Sequence, residues 1–162
     1  MKKKSVYIET TIPSYATANP SSDSVKLLRQ IITRNFWENE RHKYDLYISQ
    51  YVVEECADGD EVYVKLRLDL IKDIPYLPIT EEIEKLAEEY YEFLKIPDNA
   101  KTDCFHLAIC VINKIDFLMS WNMKHLGQPT YRRVGNFNEK RNLWLPQLLT
   151  IDAFMEIMEE EK

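Results

Sequence analysis

Glycine is scarce in this chain, three residues in 162, and no low-complexity tract is present. Neither G-x-x-x-x-G-K-[ST] nor G-x-G-x-x-G occurs, which excludes nucleotide-binding loops of those types. No glycine-rich nucleophile elbow supports a Ser-His-Asp triad. The three histidines, His42, His106 and His125, form no H-x-x-x-H or similar pair. The cysteines, Cys56, Cys104 and Cys110, are odd in number, lack C-x-x-C spacing and sit in apolar contexts. They read as reduced core residues of a cytosolic protein rather than bridges or zinc ligands. The longest apolar run, "LAICVI", is far short of the roughly 20 residues a bilayer requires, so no membrane association is expected. The start, "MKKKSVYIETT", has positive charge but no long apolar region or small-residue cleavage site, so no signal peptide is expected and the location reads as cytoplasmic.

What is present is an ordinary globular composition, 45% hydrophobic and 30% charged, with enough length for one core. One domain over residues 1–162 is expected. The formal net charge of -6 argues against indiscriminate coating of nucleic acid. Charge is uneven, however. Between Met123 and Asn142 lie Lys124, Arg132, Arg133, Lys140 and Arg141, with Glu139 as the one acid. A basic loop there is suited to holding a phosphate backbone at a chosen place; the alternative is a solvated loop with incidental arginines.

Residues 5–8 read as a short buried strand, 45–49 as a second, "PYLPIT" as a third, "IDFLMSW" as a fourth and "QLLTI" as a fifth. Val25, Leu28, Ile32 and Phe36 give a helix from Ser24 to about Glu40 its apolar stripe. "QYVVEECADG" predicts one or two helical turns closed by Gly59. "EVYVKLRLDLIKD" fits both periods, and its length without turn signals favours a helix. Thr80 is a predicted cap for a helix whose stripe is Ile83, Leu86, Tyr90 and Leu94. Asp98 is a predicted cap for the next, which buries Cys104, Leu107, Ala108 and Val111, and Asp152 for the terminal helix. Strands alternating with helices predict an α/β fold, a parallel sheet covered on both faces. In such sheets ligands bind beyond the carboxyl ends of the strands.

Polar residues recur at those ends. Glu9 closes the first strand, with Thr10 beside it. Glu54 and Glu55 follow the second, Asp103 opens the helix after Pro97, and Ser120 and Asn122 follow the fourth. Convergent carboxylates repel one another unless a divalent cation stands between them. Magnesium suits an oxygen-only set, and carboxylates without a Cys/His cluster favour phosphodiester chemistry over zinc chemistry. Taken singly, each residue has a plain structural explanation as a cap, loop acid or turn residue. Trp121 reads as packing rather than base stacking, and His106 as a buried hydrogen-bonding residue rather than a general base.

In this order the residues resemble the PIN-domain family of metal-dependent ribonucleases, which includes VapC-type toxins. "VYIETT" resembles the opening strand and acid, with Glu9 at the acid; "YVVEECADG" resembles the second motif, with Gly59 fixing Glu55 as its acid. "DCFHLA" carries the third, Asp-x-x-His-x-Ala, on Asp103 and His106. "FLMSWN" resembles the fourth, with Asn122 where an acid is usual, and "LLTIDAF" resembles the closing strand and helix. The resemblance runs from about residue 5 to 156 and departs at Glu9, usually Asp, and at Asn122. It implies a three-layer α/β/α sandwich around a central twisted parallel sheet. It also implies Mg2+ or Mn2+ held by Glu9, Glu55 and Asp103 with Asn122 in support, and endonucleolytic hydrolysis of RNA. Thr10 and Ser120 would orient ligands or phosphate, and Lys124, Arg132 and Arg133 would grip the RNA backbone. A homodimer and a cognate antitoxin are the partners it implies. Asn122 keeps open a degenerate PIN domain that binds RNA or a protein without cutting, and a phosphatase or deoxyribonuclease is a further alternative.

Overall fold

The computed structural model describes residues 2–162. Five strands form one sheet: β1 (Ser5–Ile8), β2 (Asp45–Ser49), β3 (Tyr76–Leu77), β4 (Phe117–Met119) and β5 (Gln147–Leu149). Their order is β3-β2-β1-β4-β5, and all four pairings are parallel. Val6, Tyr7 and Ile8 are completely buried. A strand covered on both faces selects such a continuous apolar run rather than an alternating one.

The helices are α1 (Thr11–Thr17), α2 (Ser24–Asn35), α3 (Gln50–Cys56), α4 (Glu61–Ile71), α5 (Glu81–Leu94), α6 (Lys101–Ile112), α7 (Gln128–Lys140) and α8 (Ile151–Glu160). Chain direction across the sheet decides their faces. From β1 to β2 to β3 the chain moves one way, and from β3 back to β4 and β5 the other. With right-handed crossovers, α1–α4 therefore cover one face and α5–α7 the opposite one. The packing agrees: α1 touches α2 and α4, α8 joins α2, and α5 touches α6 and α7. The result is an α/β/α sandwich. The direction reverses between β1 and β4, and a crevice opens there beyond the carboxyl ends of the strands.

Thr80 caps α5, its hydroxyl accepting from the Ile83 amide, and all four residues of the α5 stripe are buried. Gly59 adopts φ +105°, a backbone that a side chain would strain, and closes the turn after α3. Residues 61–71 are helical, as length predicted. Among the described residues no helix is long and apolar enough to cross a membrane. The three cysteines are free and buried, and burial pushes the Cys56 and Cys104 thiols up to about 12, so neither is an accessible thiolate at neutral pH.

Four expectations are corrected. The stretch taken as a basic loop is largely α7, started by Pro129 in its first turn. Only the later half of the α2 stripe is buried: Ile32 and Phe36 pack against the core, whereas Val25 and Leu28 stand 59% and 57% exposed and Gln30 and Thr33 are buried in their place. Asp98 does not cap α6; a short 3-10 turn precedes that helix, and Asp98 accepts from the Tyr91 hydroxyl. Asp152 lies within the first turn of α8, where Thr150 holds the cap position.

Candidate functional site

Glu9 is the residue just past β1, and its amide still donates to the Met119 carbonyl at 3.1 Å, so sheet geometry fixes its backbone. Its side chain is 8% exposed. Oε1 accepts from the Thr11 amide at 3.0 Å, the Thr11 hydroxyl at 2.5 Å and the Ser120 hydroxyl at 2.7 Å. Those hydroxyls in turn accept from the amides of Trp121 and Asn122, at 2.9 Å and 3.1 Å. One carboxylate oxygen thus ties the loop after β1 to the loop after β4, across the crevice.

Glu55 projects from α3, whose start is set by Ser49 accepting from the Val52 amide. Its Oε1 accepts from Thr10 Oγ1 at 2.7 Å and pairs with His106 Nε2 at 2.9 Å. A carboxylate only accepts, so Nε2 carries the hydrogen. His106 is buried on α6, and its Nδ1 meets the Tyr7 hydroxyl at 2.5 Å, which meets Ser49 Oγ at 2.7 Å. Four elements are joined by this chain of polar groups, none of which is left unsatisfied. Burial works against charge on His106, yet its hydrogen bond to Glu55 and the fields of Glu9, Glu55 and Asp103 raise its pKa. Burial opposes ionisation of Glu55 also, and the bonds from His106 and Thr10 outweigh it, lowering that pKa.

Asp103 stands one helical turn before His106 on α6. Among the described residues no hydrogen bond or ion pair engages its carboxylate. Burial is the largest cause of a pKa raised from 3.8 to about 6; the charges of Glu9 and Glu55 add to it, while His106 and His125 oppose it. The fields of Glu9 and Glu55 thus both reach Asp103. The ion pairs Lys43–Glu40, Lys101–Glu88 and Arg141–Glu89 leave them untouched.

Asn122 is exposed, and only its backbone amide is held, by Ser120. It lines a 420 Å³ cavity together with Lys124, Tyr131, Arg29 and Ser120, the last being the residue that bonds to Glu9. Arg29 carried no signal in the sequence; α2 delivers it there, 5.4 Å from the Trp121 ring. Trp121 itself is buried and donates its indole N–H to Thr33, a packing role. Glu54 is exposed and accepts from Gln50. Arg132 is exposed on α7. Arg133 is engaged elsewhere: it donates to the Phe93 and Leu94 carbonyls and stacks 5.1 Å from the Phe93 ring.

Does this donor set suit a hard divalent cation? Among the described residues no group of three or more His, Cys, Asp and Glu side chains stands ready to hold a metal ion. The chemistry of the donors nevertheless fits. Glu9 and Glu55 each have one oxygen anchored by protein donors and the other without a protein partner, and Asp103 has both without. A cation would offset both the burial and the lesser repulsion from Glu9 and Glu55 that raise the Asp103 pKa. In comparison with known proteins, no family model matches the chain and no curated protein matches its sequence.

Proposed function

We propose that this chain is a PIN-type, metal-dependent endoribonuclease acting in the cytoplasm. The observation that supports the reading is Asp103, which no lysine or arginine pairs among the described residues and on which the charges of Glu9, just past β1, and Glu55, on α3, both act. Glu9, Glu55 and Asp103 would hold Mg2+ or Mn2+. Bound there, the cation supplies Lewis acidity toward water and toward the charge that grows on a phosphoryl group. The protein's own contribution is rigidity. Thr11 and Ser120 orient Glu9, and Thr10 and His106 orient Glu55, so each acid presents one predetermined oxygen. Asn122, Arg29 and Lys124 line the adjoining cavity, where amide and cations suit a sugar-phosphate backbone. His106 positions Glu55 and is not a general base.

Single-stranded RNA, single-stranded DNA and a phosphomonoester, assayed side by side over a Mg2+ and Mn2+ titration, test this. Cleavage of RNA that requires metal and disappears in Asp103→Asn, with the fold retained, is the expected result. Preference for the monoester, or activity surviving in the variant, overturns it. The second reading, a PIN-like domain that binds RNA without cutting, is favoured by Asn122 in place of an acid and by the lack, among the described residues, of a ready three-ligand cluster. RNA binding with no cleavage at any metal concentration or pH would select it. A homodimer or an antitoxin peptide remains part of the proposal. Exposed Val25, Leu28 and Ile31 on α2, and Val62 and Leu66 on α4, offer apolar surface to such a partner.

A further inference from the structure

A large cavity lies at the opposite edge of the sheet from the acids. It encloses about 550 Å³ beneath the amino ends of the strands, lined by Lys2, Lys3, Lys4, Lys114 and Trp144 among others. A second concavity of about 350 Å³ shares Lys3, Asp45 and Tyr47 with it and continues to Arg41 and His42. Together they make one groove that crosses under the sheet from the segment before β3 to the segment before β5. Five strands at about 4.8 Å spacing give that path a length of roughly 19 Å.

We propose that this groove binds single-stranded nucleic acid. Five cations line it, Lys2, Lys3, Lys4, Lys114 and Arg41, against three carboxylates, on a chain whose net charge is -6. One of those carboxylates, Asp116, is engaged with its own chain, accepting at Oδ2 from the Ser5 amide at 2.9 Å and the Ser5 hydroxyl at 3.1 Å. Aromatic surface interleaves with the charge. Trp144 is 40% exposed at one end, and half-buried Tyr47 lies in the middle. The indole N–H of Trp144 donates to the Ile115 carbonyl at 2.7 Å, which fixes the ring and leaves carbon surface facing outward. Fixed aromatic faces alternating with lysines suit stacked bases on a phosphate backbone. An acidic peptide would use the lysines but would have no use for the rings. The rise of β1 separates this groove from the end of the strand where Glu9 stands by about 13 Å through the buried sheet, so the two are distinct surfaces. The groove does not depend on cleavage by the acids.

The test is a binding titration of the full chain with a short labelled oligouridylate in a metal chelator, where cutting is silent. Tryptophan emission should be quenched, and the signal reports Trp144 because Trp37 and Trp121 are each only 7% exposed. The combined variant Lys2→Glu, Lys4→Glu, Lys114→Asn should weaken binding at least about tenfold and flatten its log-log salt slope by about 2, for three lost phosphate contacts. Asn tolerates the left-handed backbone of position 114, φ 52°, so circular dichroism and melting should be unchanged. Unaltered affinity in that variant, absent quenching, or polyglutamate bound as tightly as the oligonucleotide would each overturn the proposal.

Discussion

Asp103 is the residue whose environment suits it least. Its folded-state pKa is raised, so the folded protein holds that proton more tightly than the unfolded chain does. The contribution to stability is complete below the unfolded value near 4 and is lost as pH rises through about 6. A rise from 3.8 to about 6 corresponds to about 3 kcal/mol, which partial solvent screening reduces to about 1–2 kcal/mol. Asp103→Asn should therefore melt like the parent at pH 4 and higher than the parent at pH 7, both without metal. Melting curves at the two pH values check this; a variant less stable at pH 7 would show that the carboxylate is not frustrated. The Tyr7–His106–Glu55 chain makes an opposite prediction. Tyr7→Phe removes the buried partner of His106 Nδ1 and of Ser49, and should cost about 1–3 kcal/mol in denaturant unfolding.

Among the elements, α2 and α7 show where sequence reasoning succeeds and where it stops. The α5 stripe, strand β1 and the acids at strand ends were all readable, because local periodicity and position determine them. The inner face of α2 was not. Gln30 is buried because it accepts from the Ser21 amide and donates to the Asn19 carbonyl, and Thr33 because it accepts from Trp121, 88 residues away. No apolar period announces a face built from satisfied polar groups. Arg133 misled for a similar reason: in sequence it is one more cation beside Arg132, whereas in space it closes the carboxyl end of α5. Arg133→Ala should lower stability by about 1 kcal/mol and leave RNA affinity unchanged. Lys124→Ala should do the reverse, weakening RNA binding with no change in melting temperature. Urea unfolding and a filter-binding titration on both variants check the pair.

In the whole molecule, the same sheet offers two chemically opposite rims. Glu9 stands where strands end, because the loop after β1 and the loop after β4 meet at the switch point. Lysines gather where strands begin, because residues 2–4 lead into β1 and Lys114 precedes β4. Asn122 and Arg29 occupy the margin of the acidic rim, and only folding shows that Arg29 arrives there. If a divalent cation binds the acids, it should raise the melting temperature, and chelation should reverse the gain; binding at 100 times Kd is worth about 2.7 kcal/mol. Equal melting with and without Mg2+ would argue against a metal centre.

β1 has a further consequence for the newborn chain. The strand is made well before Ser120, which holds Glu9 in place from 111 residues later. Pairing over so long a separation is slow and comes late in folding. A polypeptide cut before β4 would carry Glu9 and Glu55 yet lack the Ser120 hydroxyl that orients Glu9.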